Sequence, residues 1–354
     1  MAVSKKLRVG VVGLRMGKNH VKGFQAHPEA EVVAVCDQNP TVLAAVADEL
    51  GVKGRYTQPE LMFANAGLDA VSIATPNKFH APLSIAALAQ GLHVLCEKPM
   101  AMNAVEARQM NDAAQRAERT LMINFSYRFS DMSYALKQQV EAGAVGDIYF
   151  GRTVWHRRRG IPGLGGSFTN VELAGGGPLI DLGVHRLDLA LWLMGYPQPV
   201  AVTGSAYHTL GREIAAAKEA TFTVEDLACG LVKFANGATL VVEASWAVNI
   251  DEREHMVTQL CGTRGGLVQK NLGGEYRFTA EVYTEESGHL FTKKLDWSTV
   301  AAPTSYREFL DSIIAGRPPL ATGEEGLKVM QILDGIYESA RTGSEVRYPA
   351  PVAV

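Results

Sequence analysis

A chain of 354 residues, 47% of them hydrophobic and 20% charged, exceeds what one hydrophobic core usually organises and predicts two domains. Its 37 acidic and 34 basic residues leave a formal charge of -3, spread along the whole length, which argues against nucleic acid or an anionic membrane as partner and for a small diffusible one. Cys36, Cys96, Cys229 and Cys261 lie far apart, with no CxxC pair for a metal and no secreted disulfide framework, so a reducing cytoplasm is expected.

The opening basic and apolar run superficially resembles a leader, but it breaks at Gly13 and Arg15. No later stretch approaches the ~20 apolar residues that span a bilayer, so the run reads as a first strand. From there to about residue 124, short β-branched runs at Arg8 to Val12, Val32 to Cys36, Ala70 to Ala74, His93 to Cys96 and Thr120 to Asn124 alternate with helical patterns, including those near 41 to 50 and 80 to 90. That alternation predicts parallel strands joined by crossover helices in a doubly wound sheet. Beyond residue 125 come a helix near 131 to 142, a strand near 147 to 156, a Gly-rich loop and a helix near 179 to 194. Strands at Val200 to Ala206, Ala228 to Phe234, Thr239 to Ala247, Met256 to Cys261, Phe278 to Tyr283 and Leu290 to Leu295 follow, with a hairpin signal at Asn236-Gly237, and predict a largely antiparallel sheet. Two helices, near 304 to 315 and 323 to 341, close the chain.

The first strand ends in Gly10-Val11-Val12-Gly13-Leu14-Arg15-Met16-Gly17. A glycine turn there lets the N–H groups of a helix start meet a pyrophosphate, although the spacing is one residue short of GxGxxG and Arg15 stands near the middle glycine's place. Asp37, 24 positions after Gly13 at the end of the second strand, suits hydrogen bonds from both adenosine ribose hydroxyls and repels a 2'-phosphate. Together they point to NAD rather than NADP. Thr75-Pro76-Asn77-Lys78-Phe79-His80 and Glu97-Lys98-Pro99 end the third and fourth strands, at the sheet edge where ligands sit.

The Glu97-Lys98-Pro99 segment and the run Gly175-Gly176-Gly177-Pro178-Leu179-Ile180-Asp181-Leu182-Gly183-Val184-His185 resemble the Gfo/Idh/MocA oxidoreductases, the family of glucose-fructose oxidoreductase and inositol dehydrogenase. The resemblance covers nearly the whole chain. It implies an α/β fold with an N-terminal Rossmann domain over 1–124 and a C-terminal α+β domain over 125–354, built on a large, mostly antiparallel open sheet for substrate binding and oligomerisation. It also implies NAD held by Gly13, Leu14, Arg15, Met16, Asp37, Thr75, Pro76, Asn77, His80, Glu97, Lys98 and Arg128.

Lys98 would reach the nicotinamide ribose and the reacting hydroxyl, and Pro99 would follow a cis peptide bond. Asp181 and His185 are four apart, so a helix would stack them on one face; the imidazole suits a base near neutral pH, and the carboxylate would orient it or bind a neighbouring hydroxyl. No third metal ligand is apparent, and no metal is expected. By resemblance to the inositol dehydrogenases, His156 and Arg158, sharing one face of a strand, would contact substrate together with Ser126 and Tyr127.

The expected activity is oxidation of a secondary hydroxyl of an inositol, sugar or sugar derivative by a homo-oligomer, a dimer or tetramer paired through the open sheet. Two other readings stay open. One is an NAD-dependent glycosidase that oxidises a sugar transiently and then eliminates a glycosidic group; the other is a non-catalytic NAD-sensing protein.

Overall fold

The computed structural model describes residues 6–349; the five residues that lead into the first strand lie outside it. The chain divides into two units, one comprising the residues up to Asn124 together with 303–327, the other 125–302 together with 328 onwards.

In the first unit, β1 (Leu7–Val12), β2 (Ala30–Cys36), β3 (Gly54–Tyr56), β4 (Ala70–Ile73), β5 (His93–Glu97) and β6 (Leu121–Asn124) form one parallel sheet in the order β3-β2-β1-β4-β5-β6. The central strands are mostly apolar, and all four residues of β4 are buried, Ser72 among them. The order reverses between β1 and β4, which opens a crevice at their carboxyl ends.

Residues 303–327, assigned from sequence to the second domain, belong instead to this first unit. The helix Ser305–Ala315 lays Tyr306 and Phe309 against Phe24 of the helix Leu14–Gln25, with ring centroids 5.4 and 6.2 Å apart. The backbone N–H of Ile123 also donates to the Ala321 carbonyl at 3.0 Å. Contacts of such long sequence separation leave no local trace in the chain.

The second unit is built on nine strands: β7 (Ile148–Arg157), β8 (Pro199–Tyr207), β9 (Leu227–Phe234), β10 (Thr239–Ser245), β11 (Glu254–Gly262), β12 (Gly265–Asn271), β13 (Phe278–Glu286), β14 (His289–Lys294) and β15 (Val346–Arg347). Their order is β14-β13-β12-β11-β7-β10-β9-β8-β15, and every neighbouring pair is antiparallel except β7 with β10. The helix Val184–Leu193, buried almost all round, covers one face, where Thr153 of β7 donates from Oγ1 to the Arg186 carbonyl at 3.0 Å. Strand β12 escapes the sequence reading because it opens on two glycines. A Cβ on Gly265 would stand 2.5 Å from the Tyr283 carbonyl oxygen, so the close backbone approach removes the side chain that would have marked the strand.

Candidate active site

In the first unit the turn after β1 is shaped by Gly13. Its φ is +85°, and a Cβ there would lie 2.5 Å from the Ala74 carbonyl oxygen and 2.9 Å from the Thr75 nitrogen, so only glycine fits. The helix Leu14–Gln25 starts at once with no side-chain cap. Asp37 is tied to that start: its Oδ2 accepts the Leu14 N–H and its Oδ1 the Asn39 N–H, both at 2.8 Å. Arg15 and Met16 are exposed on the first helical turn, and the buried Thr75 hydroxyl has no hydrogen-bond partner among the described residues. A helix start whose N-cap is a glycine with no side chain, a carboxylate at the end of the neighbouring strand and an unused buried hydroxyl fit a dinucleotide, with pyrophosphate at the helix start and a ribose on Asp37.

The Lys98–Pro99 peptide is cis. Behind it lies a polar cluster that the sequence reading missed. Buried His20 places Nδ1 2.7 Å from Ser72 Oγ and Nε2 3.0 Å from Glu97 Oε1, Asn124 Nδ2 donates to the same Oε1 at 2.5 Å, and the Lys98 N–H donates to Glu97 Oε2 at 3.1 Å. Burial alone would raise the Glu97 pKa, but His20, Asn124 and the Lys98 ammonium outweigh it and hold the carboxyl below the usual range. The available signal was a histidine on the buried face of an amphipathic helix, among Leu14, Gly17, Val21 and Phe24.

Pro76 is exposed, and Asn77 opens a short 3₁₀ turn, Asn77–Phe79. His80, expected on the cofactor, requires correction. Its ring is buried between the two loops that carry Lys98 and Thr75, with Nδ1 2.7 Å from the Pro99 carbonyl and Nε2 2.8 Å from that of Thr75, and the neutral imidazole donates to one of them. Burial lowers its pKa.

In the second unit Asp181 and His185 ride on one helical element, but the expected α-helical stack is altered. Leu179–Gly183 form a π-helical turn that widens the spacing before the α-helix begins at Val184. The element is anchored by buried Glu225, whose carboxylate accepts the N–H groups of Gly177 at 2.8 Å and Leu179 at 3.1 Å and the Tyr337 hydroxyl at 2.9 Å; burial pushes its pKa up. Asp181 Oδ2 accepts from Trp246 Nε1 at 3.1 Å. The His185 ring lies against Tyr127 and Trp155, with centroids 5.1 and 5.7 Å away, and burial pushes the Tyr127 phenol up to about 12. Arg186 lies wholly buried over the rings of Tyr127, Phe278 and Trp155 at 4.7, 5.0 and 5.7 Å.

Three expected contacts are corrected here. Strand alternation at β7 holds, but its phase is opposite to the expectation: Trp155 meets His185, and Arg157 shares that face, with its guanidinium 5.6 Å from the Trp155 ring. His156 lies on the reverse face, 3.6 Å from Glu243 and in a recess with Thr203, Ser205, Tyr207 and Cys229. Arg158 is exposed, and its Nη1 donates to the Asp251 carbonyl at 3.4 Å. Arg128, expected on the cofactor, is buried in the second unit. Its Nη2 donates to Asp188 Oδ1 at 2.6 Å and to the Tyr196 hydroxyl, so its charge serves the packing of the helix Val184–Leu193. Ser126 is exposed, beside the half-buried Tyr127.

The residues that sequence reasoning missed are Glu254, Tyr276 and Trp246, while the run Arg157-Arg158-Arg159 leaves the part of Arg157 open. The large aromatic side chain of Trp155, two residues before Arg157 and so on its face of the strand, was the available signal for the inward phase of β7. Among the described residues no group of three or more His, Cys, Asp or Glu side chains is placed to hold a metal ion, no helix is long and apolar enough to cross a membrane, and all four cysteines are free.

Residues 7–125 match a family model described as an oxidoreductase family with an NAD-binding Rossmann fold, and residues 134–268 match one described as the GFO/IDH/MocA C-terminal domain. The chain is similar to the D-glucoside 3-dehydrogenase of Escherichia coli (strain K12), 34% identical over 97% of this chain and 98% of that one. It is also similar to the myo-inositol 2-dehydrogenase of Thermotoga maritima, 28% identical over 90% and 92% of the two chains. Among solved structures it resembles levoglucosan dehydrogenase in complex with NADH and levoglucosan, with a TM-score of 0.84 and 25% identity over 98% of this chain and 100% of that one. The aldose-aldose oxidoreductase of Caulobacter crescentus gives a TM-score of 0.81 and 25% identity over 97% and 100%.

Proposed function

The chain belongs to the Gfo/Idh/MocA family of NAD-binding oxidoreductases, and from that premise we propose that it oxidises a secondary hydroxyl of a sugar, glycoside or polyol. The observation that carries this reading is the Asp181–His185 element, which sets a carboxylate in a π-helical turn and an imidazole four residues on at the start of the following α-helix, the imidazole against aromatic rings. Bound NAD⁺ supplies the hydride acceptor. His185 takes the proton of the reacting hydroxyl, since an imidazole is the side chain suited to that transfer near neutral pH. Asp181, its Oδ2 steadied by Trp246, receives a neighbouring substrate hydroxyl. Lys98 offsets the charge that develops on the oxygen as its proton leaves. Gly13, Leu14, Arg15, Met16, Asp37, Thr75 and Asn77 hold the cofactor, with Asp37 favouring NAD over NADP.

The test is a screen for NADH formation over inositols, aldoses, sugar acids and glycosides, with product analysis. A ketone formed in step with NADH supports the reading. Glycoside cleavage without net NADH would assign the chain to the glycosidases, and no turnover on any member of the panel would leave it an NAD-binding sensor.

The sheet face of the second unit that carries His156 leaves Phe150 and Tyr207 exposed, and we assign it to self-association as a dimer or tetramer. A monomeric mass in solution would refute that. The free cysteines suit a reducing compartment such as the cytoplasm.

A further inference from the structure

Arg157, on the same side of β7 as the rings that flank His185, is held in a closed set of polar contacts. Its Nε lies 3.2 Å from Glu254 Oε1, its Nη2 donates to the Tyr276 hydroxyl at 2.7 Å, and its Nη1 donates to the Gly160 carbonyl at 3.2 Å. Glu254 receives the Tyr276 hydroxyl at 3.0 Å on Oε1 and Trp155 Nε1 at 2.9 Å on Oε2. The Arg157 and Glu254 side chains are 18% and 12% exposed, so the guanidinium and the carboxylate face each other with little solvent to screen them. Arg186, the other cation against the same rings, is wholly buried and presents nothing to a ligand. Its Nη1 donates to Gln269 Oε1 at 2.8 Å, so Glu254 serves Arg157 and not Arg186.

We propose that the Arg157–Glu254 pair determines the substrate class: it offers guanidinium N–H groups to hydroxyls while Glu254 cancels the charge that would draw an anion, so the enzyme takes neutral sugars or polyols and rejects sugar acids. A guanidinium has five N–H donors, and the three contacts named leave others for a substrate. An unpaired arginine in this position would instead form a bidentate contact with a carboxylate. The proposal rests on the reading that Asp181 and His185 act on the substrate hydroxyl.

The experiment compares kcat/KM for D-glucose with that for D-glucuronate, and for methyl glucoside with that for its glucuronoside, at low ionic strength. Wild type is expected to favour the neutral member of each pair by at least about tenfold. Glu254→Gln leaves Arg157 uncompensated and is expected to raise the acid-to-neutral ratio by at least about tenfold. The double variant Arg157→Gln/Glu254→Gln restores a neutral pair and should bring the ratio back near the wild-type value. Glu254→Ala serves with the same expected gain should the amide be poorly accommodated beside Trp155.

A wild type that prefers the acid overturns the proposal, as does an unchanged ratio in a Glu254 variant that melts and binds NADH as wild type does, or a gain that persists in the double variant. Those outcomes leave hydroxyl oxidation standing, whereas the absence of turnover on every neutral and acidic substrate removes the functional reading itself.

Discussion

His93 starts the strand β5 that ends in Glu97, and its ionisation is coupled to folding of the first unit. Its Nδ1 accepts the Thr120 N–H at 3.0 Å, a bond that only an unprotonated nitrogen can accept. Burial, helped by Arg119 and opposed by Asp69, lowers its pKa from 6.5 to about 4. Between those values the unfolded chain binds a proton that the folded chain does not, so stability rises with pH. The contribution is present above about 6.5 and is lost as pH falls to about 4. The interval of about 2.5, at about 1.4 kcal/mol for each pH unit, sets a ceiling of about 3 kcal/mol; the ring is only half-buried, which reduces this to about 1–2 kcal/mol.

His93→Asn keeps an acceptor near Thr120 and cannot titrate. Urea denaturation of both proteins at pH 7.5 and pH 4.5 should show wild type losing about 1–2 kcal/mol more than the variant over that span. Equal losses would refute the reasoning, because the remaining titrating groups are common to both chains.

Asp37→Ser removes the charge that opposes a 2'-phosphate and should move the ratio of NADH to NADPH affinity about 10- to 100-fold toward NADPH, read by fluorescence titration. Gly13→Ala forces a Cβ to within 2.5 Å of the Ala74 carbonyl oxygen at a φ of +85°, so NADH binding should weaken at least about tenfold and the melting temperature should fall.

The alternation of strands and helices, the glycine turn and the strand-end positions of Asp37 and of Glu97-Lys98-Pro99 were legible because each depends on local pattern: periodicity, a positive φ, or the end of an apolar strand. Position in space was not. The period of β7 was readable while its phase was not, since charged residues on both faces gave no local preference; Trp155 alone marked the inward side. His80 and Arg128 have the residue types expected of ligand contacts, yet one is buried between two backbone loops and the other is paired with Asp188. The return of residues 303–327 to the first unit depends on Phe309 and Tyr306 meeting Phe24, a contact nearly three hundred residues apart in the chain. Strand β12 was hidden by the glycines that its packing demands.

The most direct test of the account follows NADH formation from NAD⁺ on the best sugar substrate by wild type, Lys98→Ala and His185→Ala. Wild type should form ketone and NADH in equal amounts. Each variant should lose about 100-fold or more in kcat while binding NADH within about threefold of wild type. Turnover by either variant at the wild-type rate would contradict the account.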